Sequence, residues 1–290
     1  LIARGGGSAD TEAGVIAALR WLARHQHADG HWSVTGYTSE CGKIKEYPGS
    51  CAPNPGDAAH DGGVTALSLL AFLGAGFHHG SKETYDGICF GDVVKNGLKY
   101  LMNRQDAEGC LAPRRGEYMY DHLLSALALC EAYGLSGSDL FKASAKKGVD
   151  FTVAAQNDGS GWRYSYKSGD SDSSVTGWAV MALKSAELSG LSFNRNAYDG
   201  AKAWYDSVTM AENGNSVGYV AKVDGKVNCF DCVHFYITWD KSFPRGCRAL
   251  SFKGREMPSV TVLSSSGMEC QRFTPRESER CRGPHGGSGA

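Results

Sequence analysis

Apolar positions along the first two hundred residues recur in two alternating patterns. In one, polar side chains share a helical stretch with apolar ones: Ile16, Leu19, Trp21 and Leu22 face one way, while Arg20, Arg24 and Gln26 do not. That is the stripe of an amphipathic helix lying on the outside of a layer. In the other, nearly every residue is apolar or small, as in Ala66, Leu67, Leu69, Leu70, Ala71, Phe72 and Leu73, the pattern of a helix buried all round. The two periodicities predict helices near 11–26, 62–76, 91–104, 120–134, 139–156, 173–190 and 196–210. Strand signals are almost absent before about residue 215.

The amphipathic stretches end in a shared phrase: LRWLARHQHADGHW from Leu19, LKYLMNRQDAEGCL from Leu98 and VDFTVAAQNDGSGW from Val149. The apolar stretches share another: HDGGVTALSLLAFLGAG from His60, YDHLLSALALCEAYGLSG from Tyr120 and SDSSVTGWAVMALKSAELSG from Ser171. Asp61, Asp121 and Asp172 read as capping or first-turn acids, and Gly74, Gly134 and Gly190 as helix stops. The glutamines are spaced by 79 and 51 residues and the aspartates by 60 and 51. The long first interval holds a loop insertion over 33–59. One outer and one inner helix per unit of about 50 residues is an αα-hairpin repeat, whose pairs stack because neither helix buries its apolar face alone.

These phrases resemble the repeat of the terpenoid cyclase and protein prenyltransferase superfamily, in particular uncharacterised bacterial proteins defined only by their prenyltransferase and squalene-oxidase repeats. The matching residues are Gln26, Gly30 and Trp32; Gln105 and Gly109, with Leu111 in place of Trp; and Gln156, Gly161 and Trp162. The resemblance covers 10–225 and implies an all-α fold, an (α/α) toroid of helical hairpins with inner helices around a central cavity. About three and a half to four hairpins are present where the family's closed ring has five or six, so an incomplete ring is expected. Residues 1–9 read as a flexible lead-in. Residues 226–290, where the helical rhythm stops, read as an irregular tail, frameshifted or disordered.

Recurrence assigns most of the conspicuous residues to the scaffold. A Gln at a helix end bonds exposed backbone groups, Gly permits the turn, and Trp packs onto the next unit. The catalytic candidates are Asp170 and Asp172, which resemble the D-x-D-D motif of class II cyclases with Ser173 in place of the last Asp. The resemblance implies that Asp172 would be the general acid of a squalene-hopene-like cyclase. Since an acid stands at the start of all three inner helices, capping accounts for it without chemistry. Phe72, Tyr120, His122 and Trp178 are expected to line the cavity. The reading favoured on these grounds is a binding or scaffold module of unassigned substrate, taking an isoprenoid, peptide or glycan on its concave face; a cyclase-type isomerase is the alternative.

Composition narrows the classes further. A formal net charge of −1 with 21% charged residues lacks the basic excess of a nucleic-acid binder. No apolar run approaches the length of a membrane span. There is no phosphate-binding P-loop, nucleophile elbow or H-E-x-x-H motif, and no cofactor is expected. Of ten cysteines, Cys41 and Cys51 bracket the loop insertion, where an oxidising compartment would favour a disulfide; two unremarkable thiols, or a metal site with His60 and Asp61, are the alternatives. Cys229, Cys232 and His234 are spaced like zinc ligands, but a C-x-x-C pair without a second knuckle is weak, and no metal is assigned.

Overall fold

The structure, a computed structural model, describes residues 7–41, 56–209, 217–220, 228–266 and 270–276. It divides into two units, residues 1–209 with 217–221 and residues 210–216 with 222–290.

The first unit is a run of helices: α1 (Ala9–Arg24), the short α2 (Tyr37–Cys41), a 3-10 turn (Ala58–His60), α3 (Asp61–Gly74), α4 (Phe90–Asn103), α5 (Tyr118–Ser136), α6 (Asp139–Ala154), α7 (Ser173–Leu188) and α8 (Asn196–Val208). Between α3 and α4 lies an antiparallel hairpin of two-residue strands, β1 (Thr84–Tyr85) and β2 (Ile88–Cys89). Hydropathy gave no sign of it, because two residues carry no period. Its turn places Asp86 and Gly87 at positive φ, and Asp86 is held by Arg20 and Arg24 of α1.

The helices form two layers. α3, α5 and α7 pack successively side by side; α1 lies on α3, α4 on α3 and α5, α6 on α5 and α7, and α8 on α7. The alternation of amphipathic and apolar stretches is thus the alternation of outer and inner helices. The centre of the array is α5, 13 of whose 19 residues are buried. Its neighbours meet it end to matching end: Asp121, near the start of α5, bonds Gly63 at the start of α3, and Tyr120 bonds Ser174 at the start of α7. The three inner helices therefore run parallel.

The repeated glutamines account for the stacking of the outer layer. Gln26 Nε2 donates to the carbonyls of Gly30 and Val93, both at 2.9 Å. Gln105 does the same to Gly109 (3.1 Å) and Ser144 (3.0 Å), and Gln156 to Ser160 (2.7 Å) and Ala197 (2.9 Å). Each amide closes its own turn and ties it to a carbonyl of the next outer helix. Trp32 and Trp162 are buried, and their indole N–H groups donate to the carbonyls of Leu22 and Thr152. In both cases the acceptor lies four residues before the clamping Gln.

The same bonds correct the alignment of the third turn. Ser160, not Gly161, occupies the place of Gly30 and Gly109. Those two glycines have φ of 98° and 100°, and a Cβ on either would stand 2.3 Å from a carbonyl oxygen of the next outer helix, Asn96 or Lys147. In the third repeat the small residue has moved across the contact: the helix contributes Gly200, whose Cβ would fall 2.7 Å from the Ser160 oxygen. Gly161 is required for another reason, the approach of Thr176 Oγ1, which a Cβ would meet at 2.2 Å.

The second unit carries secondary structure where an irregular tail was expected. After a 3-10 turn (Cys229–Asp231) come β3 (Phe235–Ile237), β4 (Arg245–Cys247) and β5 (Phe252–Gly254), paired antiparallel in that order, and α9 (Pro258–Ser266). The expectation rested on loss of the helical period. Strands of three residues are too short to show a period: along β3, Phe235 is buried, Tyr236 half-buried and Ile237 exposed.

Candidate functional site

The turn bonds also fix the register of the inner helices. The N–H of Trp32 donates to Thr65 Oγ1 and that of Trp162 to Thr176 Oγ1, each at 3.0 Å; in the second repeat Leu111 N–H donates to His122 Nδ1 at 3.2 Å. Thr65, His122 and Thr176 are therefore equivalent. Four residues earlier stand Asp61, Tyr118 and Asp172. Asp121 is not the third member of a capping series. It lies three residues deeper, at the place of Val64 and Val175.

Asp121 is a buried carboxylate where the other repeats have valine. It is nearly inaccessible and fully bonded: Oδ1 accepts from Gly63 N–H at 3.0 Å and Oδ2 from His60 Nδ1 at 2.8 Å. A Cβ on Gly63 would fall 2.2 Å from Oδ1, so the adjacent helix start is shaped around the acid. The His60 side chain is 41% exposed. Its hydrogen bond to Asp121 holds the imidazole pKa above its usual value, against the opposing effect of partial burial. Burial pushes the Asp121 carboxyl up, and His60, Gly63 and Arg104 oppose that. A buried carboxylate fixing an accessible imidazole by Nδ1 orients the ring and stabilises its protonated form.

Asp172 begins α7 as its N-cap, with Oδ1 accepting from Val175 N–H at 2.8 Å. It is fully buried. Its Oδ2 has no hydrogen-bond partner among the described residues, with Arg163 Nε 3.9 Å away. Asp170 is exposed and ion-paired to the same Arg163 guanidinium. Beside them Tyr120 donates to Ser174 Oγ at 3.0 Å, and the hydroxyls of Tyr164 and Tyr219 are 2.7 Å apart. This aromatic and hydroxyl-rich rim escaped the sequence reading, since Tyr164 and Tyr219 lie in loops outside both repeated phrases.

Of the four residues expected to line a cavity, two do not. Phe72 is fully buried, between Trp32 and Phe90. His122 is fully buried and faces the outer layer, its Nε2 donating to Thr152 Oγ1 at 3.0 Å. Both mark the interior between layers, which is where the apolar pattern of their helices directs them. Tyr120 and Trp178 are half-buried and stay on the free side of α5 and α7. Apolar side chains are also exposed on the two flanking inner helices, Leu67 of α3 (47%) and Met181 of α7 (51%), while Asp121 to Cys130 of α5 between them are all buried. Cys41 is disulfide-bonded and every other described cysteine is free; Cys51 lies outside the described residues. Among the described residues no group of three or more His, Cys, Asp or Glu side chains stands in ligating proximity, and no helix is long and apolar enough to cross a membrane.

No family model, curated protein or solved structure matches this chain. The site must be read from its own chemistry. α3 and α7 each expose apolar side chains, and the starts of the inner helices bring together the His60 imidazole, the buried Asp121 carboxyl that orients it, and the hydroxyls of Tyr120 and Ser174.

Proposed function

We propose that the helical unit is a ligand-binding module, an arc of an (α/α) toroid of the terpenoid cyclase and prenyltransferase type, whose inner-helix face takes an apolar, isoprenoid-like ligand. The observation that carries this reading is the exposure of apolar side chains on inner helices, with Leu67 and Met181 about half exposed. α5 has an inner neighbour on each side, whereas α3 and α7 each have one, and apolar residues left exposed on those two helices mark an interaction surface. An apolar lining favours an isoprenoid over a glycan, which needs a denser set of polar partners. His60, whose imidazole pKa Asp121 raises, and Tyr120 stand where the polar end of such a ligand would lie.

Equilibrium dialysis of the full chain against farnesol and geranylgeraniol tests this. Saturable binding of either supports the reading, and retention of neither above a control protein sinks it.

One observation favours the cyclase alternative: the Oδ2 of Asp172 is buried and has no hydrogen-bond partner among the described residues. Against it stand the capping bond to Val175 and the diversion of Asp170 to Arg163. Incubation with squalene should give no cyclised product. A product that disappears in Asp172→Asn would establish the alternative.

A further inference from the structure

The second unit has too little apolar core to explain its order. Its hydrophobic cluster consists of Cys229, Cys232 and Phe235, with Met257 and Phe273 packed against them, and its sheet is built of three-residue strands. Domains this small usually need disulfides or a structural metal to fold. Yet Cys229, Cys232, Cys247 and Cys270 are all free thiols, and all four line the same small enclosed cavity, together with Phe235, Pro258 and Arg272. The cavity, about 10 Å³, holds little more than one small sphere.

We propose that these four thiols form a structural zinc site. Three elements deliver them. Cys229 and Cys232 flank a 3-10 turn closed by Cys232 N–H donating to the Cys229 carbonyl at 3.0 Å, the knuckle geometry that a C-x-x-C pair adopts around zinc. Cys247 ends β4, directly across from Phe235 of β3, so sheet pairing sets it beside the knuckle. Cys270 follows α9. The start of α9 supports the knuckle as well, with Ser259 N–H donating to Cys229 Sγ at 3.2 Å. A backbone N–H aimed at a cysteine sulfur stabilises the thiolate and orients the ligand. His234, the ligand suggested by spacing alone, does not line the cavity, and its Nε2 lies 3.3 Å from Thr274 Oγ1.

As the four cysteines stand, no group of three or more of them could hold a metal ion, so the proposal requires their side chains to close in to about 2.3 Å from the ion. Zinc would displace four thiol protons to solvent, leaving a tetrathiolate centre of charge −2. Arg272 lines the cavity, and Arg276, which donates to the carbonyls of Cys232 and Phe235, adds a second positive charge to the unit. Nothing is oxidised or reduced, and the inference does not depend on what the helical unit binds.

The test is metal analysis of the full chain prepared under reducing conditions with zinc present. One equivalent of zinc per chain is expected, released by a mercurial thiol reagent. Cobalt(II) in its place should give the visible bands of a tetrahedral tetrathiolate. Cys229→Ser, Cys247→Ser and Cys270→Ser should each lose the tetrathiolate spectrum, while Cys89→Ser, a free thiol of the helical unit, should keep it. To separate ligand loss from misfolding, limited proteolysis compares the wild type with and without a chelator: residues 228–276 should be cut faster once the metal is removed. Less than half an equivalent of zinc, a cobalt spectrum unchanged in Cys270→Ser, or mass-spectrometric recovery of the four cysteines as disulfides would overturn the proposal.

Discussion

Replacing Gln105 with alanine tests the clamp on which the stacking of the outer helices rests. The side chain makes three hydrogen bonds: Nε2 donates to the carbonyls of Gly109 and Ser144, and Oε1 accepts from Ser144 Oγ at 2.6 Å. Truncation removes all three and strands two carbonyls in part-buried surroundings. At about 0.5–1.5 kcal/mol per bond, the loss is roughly 2–4 kcal/mol. With a urea slope of about 3 kcal/mol per molar for a unit of this size, the midpoint should fall by roughly 1 M. Tryptophan fluorescence follows the transition, because Trp32 and Trp162 are buried in the helical unit whereas Trp239 is almost fully exposed and stays silent. Gln105→Glu sharpens the test. It keeps the shape but turns the donor toward two carbonyls into an acceptor, so it should destabilise at least as much as alanine. A midpoint shift below about 0.2 M for the alanine variant, or a glutamate variant as stable as wild type, refutes the clamp.

His60 should titrate above 6.5 by NMR, because Asp121 stabilises its imidazolium. The stability this contributes is fully present below 6.5 and is lost as pH rises through the folded value, and Asp121→Asn should bring the titration back down; a His60 pKa at or below 6.5 in the wild type counts against the pair. His122 behaves in the opposite sense. Burial lowers its pKa to about 3, so the neutral ring stabilises the fold above 6.5, and that contribution is lost as pH falls toward 3. Acid unfolding of His122→Thr, which restores the residue of the other repeats, should therefore be less steep than in wild type, and an equal slope would show that another group governs it. Asp172→Ala should lower stability by about 1–2 kcal/mol through loss of the α7 cap, and Asp172→Asn by less; equal losses in chemical denaturation would mean that the charge rather than the cap matters.

The repeats themselves were written in the chain. Helix positions, the division into outer and inner helices and the role of the glutamines follow from a period and a phrase that recur, because each repeat faces the same neighbours and meets the same physical demand. Departures from the repeat were not legible. Asp121 looked like Asp61 and Asp172 in a linear alignment, and only the bond from Leu111 N–H to His122 reveals that it sits three residues deeper. Ser160 and Gly200 exchange roles across a helix contact between residues 40 apart, and a one-dimensional motif cannot show a compensation of that kind. Phe72 and His122 were placed on the correct helices but on the wrong side, since a helix apolar all round does not say which face meets the outer layer. The cysteines of the second unit failed for a related reason: Cys247 and Cys270 join Cys229 and Cys232 through strand pairing and a helix, with no local spacing to announce it.

We propose that the apolar residues exposed on α3 and α7 bind an apolar ligand. The most direct measurement is a fluorescence titration of the full chain with farnesol, read through Trp178 of α7. The account expects a saturable change that is absent in Trp178→Phe, and that Met181→Glu abolishes without moving the urea midpoint. A change that survives in Trp178→Phe, or that is undiminished by a charge at position 181, would contradict it.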